Sequence, residues 1–320
     1  MPLALEVGNL LELSEMIASA NRRGEQIASV NLDRLNRVLE HAPGDMTVTV
    51  EAGITLQSLQ AQLAAHRQWL PIDSPQPERS TIGMILATNA SGPRRFGYGT
   101  VRDWLIGLRV VLANGSVIKS GGKVVKNVAG YDLAKLFIGS DGTIGIIVEA
   151  TFKLRPLPER EAFVHRSFAP LEEATHLIES VVESKINPVV IDLHNLSASL
   201  GSRSNGFSVI LGVAGADEDV DYELKQAAEL GLQDEASLSY ETSFWNSQST
   251  GPIQRQAVLP SRLGEVLREI GEAPFVARAG NGIVYYRGAP PSATPDLPWA
   301  LFRRVKEAFD PKHIFPEMSV

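Results

Sequence analysis

Apolar residues recur at helical spacing through "NLLELSEMIASANRRG", and Gly24 follows them. That pattern predicts an amphipathic helix with a glycine stop. It then changes to alternation: "MTVTVEAG" is rich in Val and Thr and closes at Gly53, as a strand would. "TLQSLQAQLAAHRQ" returns to the helical period with Thr55 as its N-cap. "PIDSPQPERS" obeys neither period and predicts a loop. "TIGMILATNASGPRRFGYGTVRDW" begins as a short helix and passes into glycine-rich loop. In "LIGLRVVLANGSVIKSGG" two apolar runs meet at Asn114-Gly115, which predicts a hairpin closed by a type I′ turn. "GTIGIIVEATFKLRP" predicts a long apolar strand.

Regular patterning stops at Arg155-Pro156-Leu157-Pro158-Glu159, which places a domain boundary between 157 and 158. Beyond it, strands around 161–168, 187–194, 207–213, 274–279 and 282–287 alternate with helices around 170–184, 217–230 and 261–270. This is an α+β pattern. A proline-rich connection, "GAPPSATPDLP", leads to a last helix, "WALFRRVKEAF", ended by Asp310-Pro311. The expected organisation is a first domain over 1–157 and a smaller α+β domain over 158–320, whose terminal helix returns towards the first.

Charge supports the division. Residues 1–150 carry 14 basic and 14 acidic residues, and residues 151–320 carry 16 against 23, so the net charge of −7 sits in the second half. An acidic chain of this kind is a poor partner for nucleic acid. The chain has no cysteine, which excludes disulfides, thiolate zinc sites and its own ligation of an iron–sulfur cluster. No apolar run is long enough to span a bilayer, and the N-terminus carries acids where a signal peptide needs basic residues, so a cytoplasmic location is expected.

The six histidines are scattered, with no zinc-type spacing, and each reads as structural or surface. Nucleophile-elbow, phosphate-loop and dinucleotide fingerprints are all missing. Two glycine-rich blocks remain. The first runs from Ser80-Thr81-Ile82-Gly83 to Asn89-Ala90-Ser91-Gly92-Pro93-Arg94-Arg95. The second is "GGKVVKNVAGYDLAKLFIGSDGTIGIIVEA", in which Gly139, Gly142 and Gly145 lead directly into a strand. Glycines so placed serve either a crowded junction between sheets or a backbone-lined nucleotide site, and the residues alone leave both open.

Both blocks resemble the PCMH-type FAD-binding domain of the vanillyl-alcohol oxidase superfamily. Within it, the Asn-Val-Ala-Gly-Tyr-Asp-Leu and Ser-Gly-Pro-Arg-Arg runs resemble the FAD-binding subunits of bacterial glycolate oxidases, also called glycolate dehydrogenases. The resemblance is strong over about residues 31–160 and diffuse beyond. It implies an α+β flavin domain of two subdomains followed by an α+β cap domain, with FAD bound non-covalently. Asp73, Pro75, Ser80, Thr81, Ile82 and Gly83 match the segment beside the flavin and pyrophosphate, and Asn89, Ser91 and Gly92 continue that wall. Gly142, Thr143, Gly145 and Ile146 match the segment holding the adenosine part. Asn127, Gly130 and Tyr131 match subunit-specific neighbours of the site.

The chain departs from the pattern in three places. "NRRGEQIASVNLDRLNRV" lacks the glycine-rich pyrophosphate loop expected near 24–30, Met84 stands where a second glycine is usual, and "FDPKHIFPEM" lacks a terminal Asn-Pro-Gly. No general base for alcohol oxidation is evident. Arg278 and Arg287 read equally as carboxylate binders or ordinary surface residues. The resemblance implies a subunit of a complex that oxidises a small 2-hydroxy acid, acting beside a catalytic flavoprotein subunit and an iron–sulfur subunit. Such a complex works in the cytoplasm or peripherally at the inner membrane. A scaffold that keeps the fold but not the cofactor is the alternative.

Overall fold

The computed structural model describes residues 2–122, 133–196, 206–247, 251–290 and 297–318. Contacts divide the chain into one unit of Met1–Ser91, Thr100–Leu157 and Asp296–Val320, and another of Gly92–Gly99 and Pro158–Pro295.

In the first unit, β1 (Leu3–Glu6) leads to α1 (Leu10–Arg23) and on to β2 (Ile27–Asn31), which pairs parallel with β1. Asn9 caps α1 by accepting the Glu12 N–H, and Gly24 ends it in the left-handed conformation (φ 66°). Glu25 and Gln26 alone separate that cap from β2. The buried face of α1, formed by Leu13, Ile17 and Ala20, joins Leu5, Ile27, Val111, Val148, Ile314 and Phe315 in one core.

The strands β3 (Val38–Ala42) and β4 (Thr47–Glu51) precede α2 (Leu56–Ala64), β5 (Gln68–Trp69) and α3 (Ile82–Thr88). After α4 (Arg95–Tyr98), which belongs to the second unit, come α5 (Val101–Trp104), β6 (Leu105–Val111), β7 (Val117–Gly121), α6 (Ala134–Phe137), β8 (Ile146–Lys153) and β9 (Arg155–Pro156). Antiparallel pairing orders the main sheet β3-β4-β8-β6-β7.

The β6–β7 hairpin differs from expectation in its turn. Asn114 does not take a positive φ, whereas Gly115 does (φ 83°), and the Gly115 N–H donates to the Leu112 carbonyl. This is a type I turn followed by a left-handed glycine, not type I′. Packing supplies the reason: a Cβ on Gly115 would lie 2.6 Å from the Ala18 Cβ and the Ser14 carbonyl of α1.

The second unit is built on one seven-stranded sheet. Its strands are β10 (Arg160–Phe168), β11 (Val190–His194), β12 (Phe207–Gly215), β13 (Asp234–Glu235), β14 (Ile253–Ala257), β15 (Phe275–Arg278) and β16 (Ile283–Arg287), in the order β13-β10-β12-β11-β15-β16-β14. The helices α7 (Leu171–Glu183), α8 (Asp217–Glu229) and α10 (Leu263–Ile270) contribute to the core on one face, with Leu193, Val209, Leu211 and Ala277. On the opposite face α9 (Ser239–Trp245) packs Tyr240 and Phe244 against Ile210, Val276, Ile283 and Tyr285. All five residues of β11 are therefore buried. The last helix, α11 (Trp299–Phe309), falls within the first unit.

Candidate functional site

The first unit contains a cleft of about 400 Å³, within the roughly 300–1,000 Å³ typical of small-molecule sites. One wall is β2 continued through Leu32 and Asp33. Another is the start of α3, where Thr81, Gly83, Met84 and Ala87 contribute. Asp141, Gly142, Gly145, Ile146 and Ile147 form a third, and Phe315 and Pro316 close the lining.

Local chemistry explains each wall. Thr81 is the N-cap of α3, its Oγ1 accepting the Met84 N–H at 3.2 Å. The Ile82 and Gly83 N–H groups donate to the Ile54 and Ala52 carbonyls at 2.9 and 2.7 Å. The amides at this helix start are thus already engaged within the fold. Asp141 and Gly142 both hold left-handed backbone, φ 49° and 72°, and this turns the chain into β8. A Cβ on Gly142 would meet nothing closer than the Ile146 Cδ1 at 3.7 Å. Gly83 and Gly145 are different: their Cβ positions lie 3.1 Å from the Ala52 Cβ and 2.7 Å from the Val110 Cγ1. They admit protein against protein.

Among the described residues the cleft's lining includes no lysine or arginine, and its two carboxylates are Asp33 and Asp141. Burial pushes the Asp141 carboxyl above its ordinary value. The surface is mainly apolar side chain and backbone, suited to planar aromatic rings, and its described residues offer a diphosphate backbone N–H groups, with no basic side chain among them. The link between α1 and β2 is two residues long, so no glycine-rich loop stands there.

Of the residues expected at this site, Thr81, Gly83, Gly142, Gly145 and Ile146 line the cleft. Ile82, the first residue of α3, is wholly buried. Ser80 donates its hydroxyl to the Pro75 carbonyl, and these two, with Asp73, lie outside the lining. Asn89 caps α3 with φ 50°, its buried Oδ1 without a partner among the described residues. Ser91 is buried, and Gly92 begins the segment that joins the second unit. Thr143 is buried, donating to Ser140 O while its own carbonyl accepts from the Lys306 ammonium. Asn127, Gly130 and Tyr131 lie outside the described residues. Residues 27–33 and 315–316 were missed as walls; the shortened link before β2 and the family-like tail were the available signals.

In the second unit Arg278 is 1% exposed and meets neither earlier expectation. Its Nη1 donates to Asp192 Oδ2, and both Nη atoms donate to Glu241 at 2.7 Å. The Tyr240 hydroxyl donates to the same Asp192 oxygen at 2.7 Å. Burial dominates Asp192 and raises its carboxyl to about 6, with Arg278 acting in the opposite direction. Arg287 donates to the Phe244 carbonyl at 2.8 Å. Both arginines are thus engaged within the unit.

The first unit thus combines an α+β fold with a glycine-walled cleft in which the described residues place no lysine or arginine. Residues 12–121 match the FAD binding domain family. Among known proteins, the chain is 37% identical over 158 residues to glycolate oxidase subunit GlcD of Bacillus subtilis, covering 49% of this chain and 34% of the relative. It is 33% identical over 171 residues to glycolate oxidase subunit GlcE of Escherichia coli, covering 52% and 48%. The aligned stretches thus span a third to a half of these relatives' lengths. Among solved structures, an alkyldihydroxyacetonephosphate synthase superposes with a TM-score of 0.76 at 18% identity, over 97% of this chain and 76% of that one, a likeness of fold.

Proposed function

We propose that this chain is the FAD-binding subunit of a complex that oxidises a small 2-hydroxy acid, with FAD held non-covalently in the cleft of the first unit. The carrying observation is that the cleft opens between β2, the start of α3 and the Asp141–Ile147 segment, within and beside the region matching the FAD binding domain. The relation to two glycolate oxidase subunits supports the substrate class.

FAD supplies an acceptor for the hydride from the α-carbon of the hydroxy acid. This chain's residues bind and orient. Gly142 leaves the wall open, Ile146 and Ile147 offer apolar surface, and Thr81 holds the start of α3 in place. The titratable groups in the cleft lining are Asp33 and Asp141. Among the described residues neither is joined by a histidine or an arginine there, and the acid–base step belongs to the proposed partner flavoprotein subunit. An iron–sulfur subunit carrying electrons onward completes the proposed assembly, in the cytoplasm or at the inner face of a membrane. Among the described residues no helix is long and apolar enough to cross a membrane.

The test is reconstitution. The purified chain, mixed with FAD and desalted, is expected to retain flavin absorbance and to quench FAD fluorescence saturably. A folded chain that does neither overturns the proposal in favour of a cofactor-free scaffold.

A further inference from the structure

The second unit contains a cavity of about 310 Å³, lined by His165, His194, Ile210, Ser237, Ser239 and Tyr240, together with Glu235 and Ala236. Strand register brings the two histidines to one sheet face. His165 of β10 is opposite Ile210 of β12, and Ser208, two residues back along β12, is opposite His194 of β11. The histidines are thus diagonal neighbours across one strand, on the face covered by α9.

Each carries an unspent buried nitrogen. The Leu196 N–H donates to His194 Nδ1 at 3.2 Å, which makes that atom an acceptor and leaves the ring proton on Nε2. His194 is 1% exposed, its ring stacked on Tyr240 at 4.7 Å, and Nε2 has no partner among the described residues. His165 Nδ1 is likewise buried without a partner. A buried N–H left unmade costs on the order of 1–3 kcal/mol, so the arrangement calls for an acceptor oxygen.

We propose that this cavity binds a small monocarboxylate, of acetate or glycolate size, whose two oxygens accept from His194 Nε2 and His165 Nδ1. One carbon bearing two acceptors matches two ring nitrogens on one sheet face, on β10 and β11 with β12 between them, whereas an ammonium would leave the His194 N–H unpaired. Among the described residues no group of three side chains could hold a metal ion here.

The surrounding charge makes binding depend on pH. Glu235 lines the cavity, and Asp234 flanks it on β13. Behind Tyr240, Asp192 and Glu241 share Arg278, leaving acid in excess. An anion entering against that field needs a proton taken up on a histidine. Burial and, second, the neighbouring His165 hold His194 down at about 4 in the empty cavity; a carboxylate on Nε2 opposes both.

Calorimetric titration of the full chain with sodium acetate, sodium glycolate and the neutral isostere acetamide tests this. Saturable binding of both anions is expected, tighter at pH 5.5 than at 7.5, with acetamide much weaker. His194→Phe keeps a ring against Tyr240 but removes the donor, and should weaken acetate binding by about tenfold or more. His165→Phe, at a half-buried position, provides the same test with less risk to folding, and Glu235→Gln should tighten binding. No saturable binding, acetamide matching acetate, or both histidine variants binding like the parent would each overturn the proposal. The site stands apart from FAD: a chain that bound no flavin would still be expected to bind acetate.

Discussion

At the scale of single residues, the glycines of the second block divide into two physical roles. Gly145 has no room of its own: an added Cβ meets the Val110 Cγ1 at 2.7 Å, the Phe137 Cε1 at 3.1 Å and the Val111 carbonyl at 3.3 Å. Gly145→Val therefore overpacks the β6–β8 junction and should cost about 1–3 kcal/mol, read as a lowered melting temperature without any flavin present. Gly142 is held by its φ of 72°, and a Cβ there would meet only the Ile146 Cδ1, at 3.7 Å. Gly142→Ala should cost roughly 1–2 kcal/mol of backbone strain and weaken FAD binding by narrowing the wall. An unchanged melting temperature in Gly145→Val would sink this division. The crowded junction thus belongs to Gly145, and Gly142 is the glycine of this stretch proposed for the cofactor site.

At the scale of elements, α11 carries the device that organises the cleft. The Lys306 ammonium is buried and donates to the carbonyls of Thr143 (2.8 Å), Pro316 (3.0 Å) and Phe315 (3.1 Å), and to Asp310 Oδ2 (2.7 Å). Asp310 in turn accepts the Ile314 and Phe315 N–H groups at 3.0 and 2.9 Å. One ion pair thereby ties the turn before β8 to the tail, and both supply cleft residues. Lys306→Met leaves Asp310 buried without its cation, and the expected loss is about 3–5 kcal/mol by denaturant unfolding. Adding Asp310→Leu should recover part of it. If the double variant is no more stable than Lys306→Met, the uncompensated carboxylate is not the cause. The elements themselves were largely legible: α1 with Gly24, α2 with Thr55, and the strands and helices of the second unit follow from period and caps. Lys306 bonding to Thr143, 163 residues away, has no local signature. Nor has the meeting of His165 and His194, which depends on the register of β10, β12 and β11. α9 and β14 went unread because neither has a clean period in a stretch rich in Ser, Glu and Gln. The turn at Asn114-Gly115 was misread because α1, packed against it, selects a different turn from the one the local pair prefers.

At the scale of the whole molecule, each unit has its own core, and the buried titratable groups with the largest resolved shifts lie in the second. Two of them oppose one another. His194 falls to about 4 in the folded state from 6.5, so the unfolded chain binds its proton more readily between those values. Its contribution is full above pH 6.5 and is lost as pH falls towards 4. Asp192 rises from 3.8 to about 6, so the folded state binds its proton more readily over that window. Its contribution is full below pH 3.8 and is lost as pH rises through 6. From about pH 4 to 6 the two nearly cancel, and removing one should uncover the other. His194→Phe should therefore compare best with the parent near pH 4 and lose ground steadily up to pH 6.5, above which the difference stays constant. Hydrogen exchange of β11 and β12 amides across that range follows the unit concerned, while the β4 and β8 amides of the first unit should show the same pH trend in both proteins. A difference that is flat with pH in β11 and β12 would mean that His194 is charged when folded, and the cavity would then not hold the neutral imidazole that its unpaired Nε2 and its bond from Leu196 define.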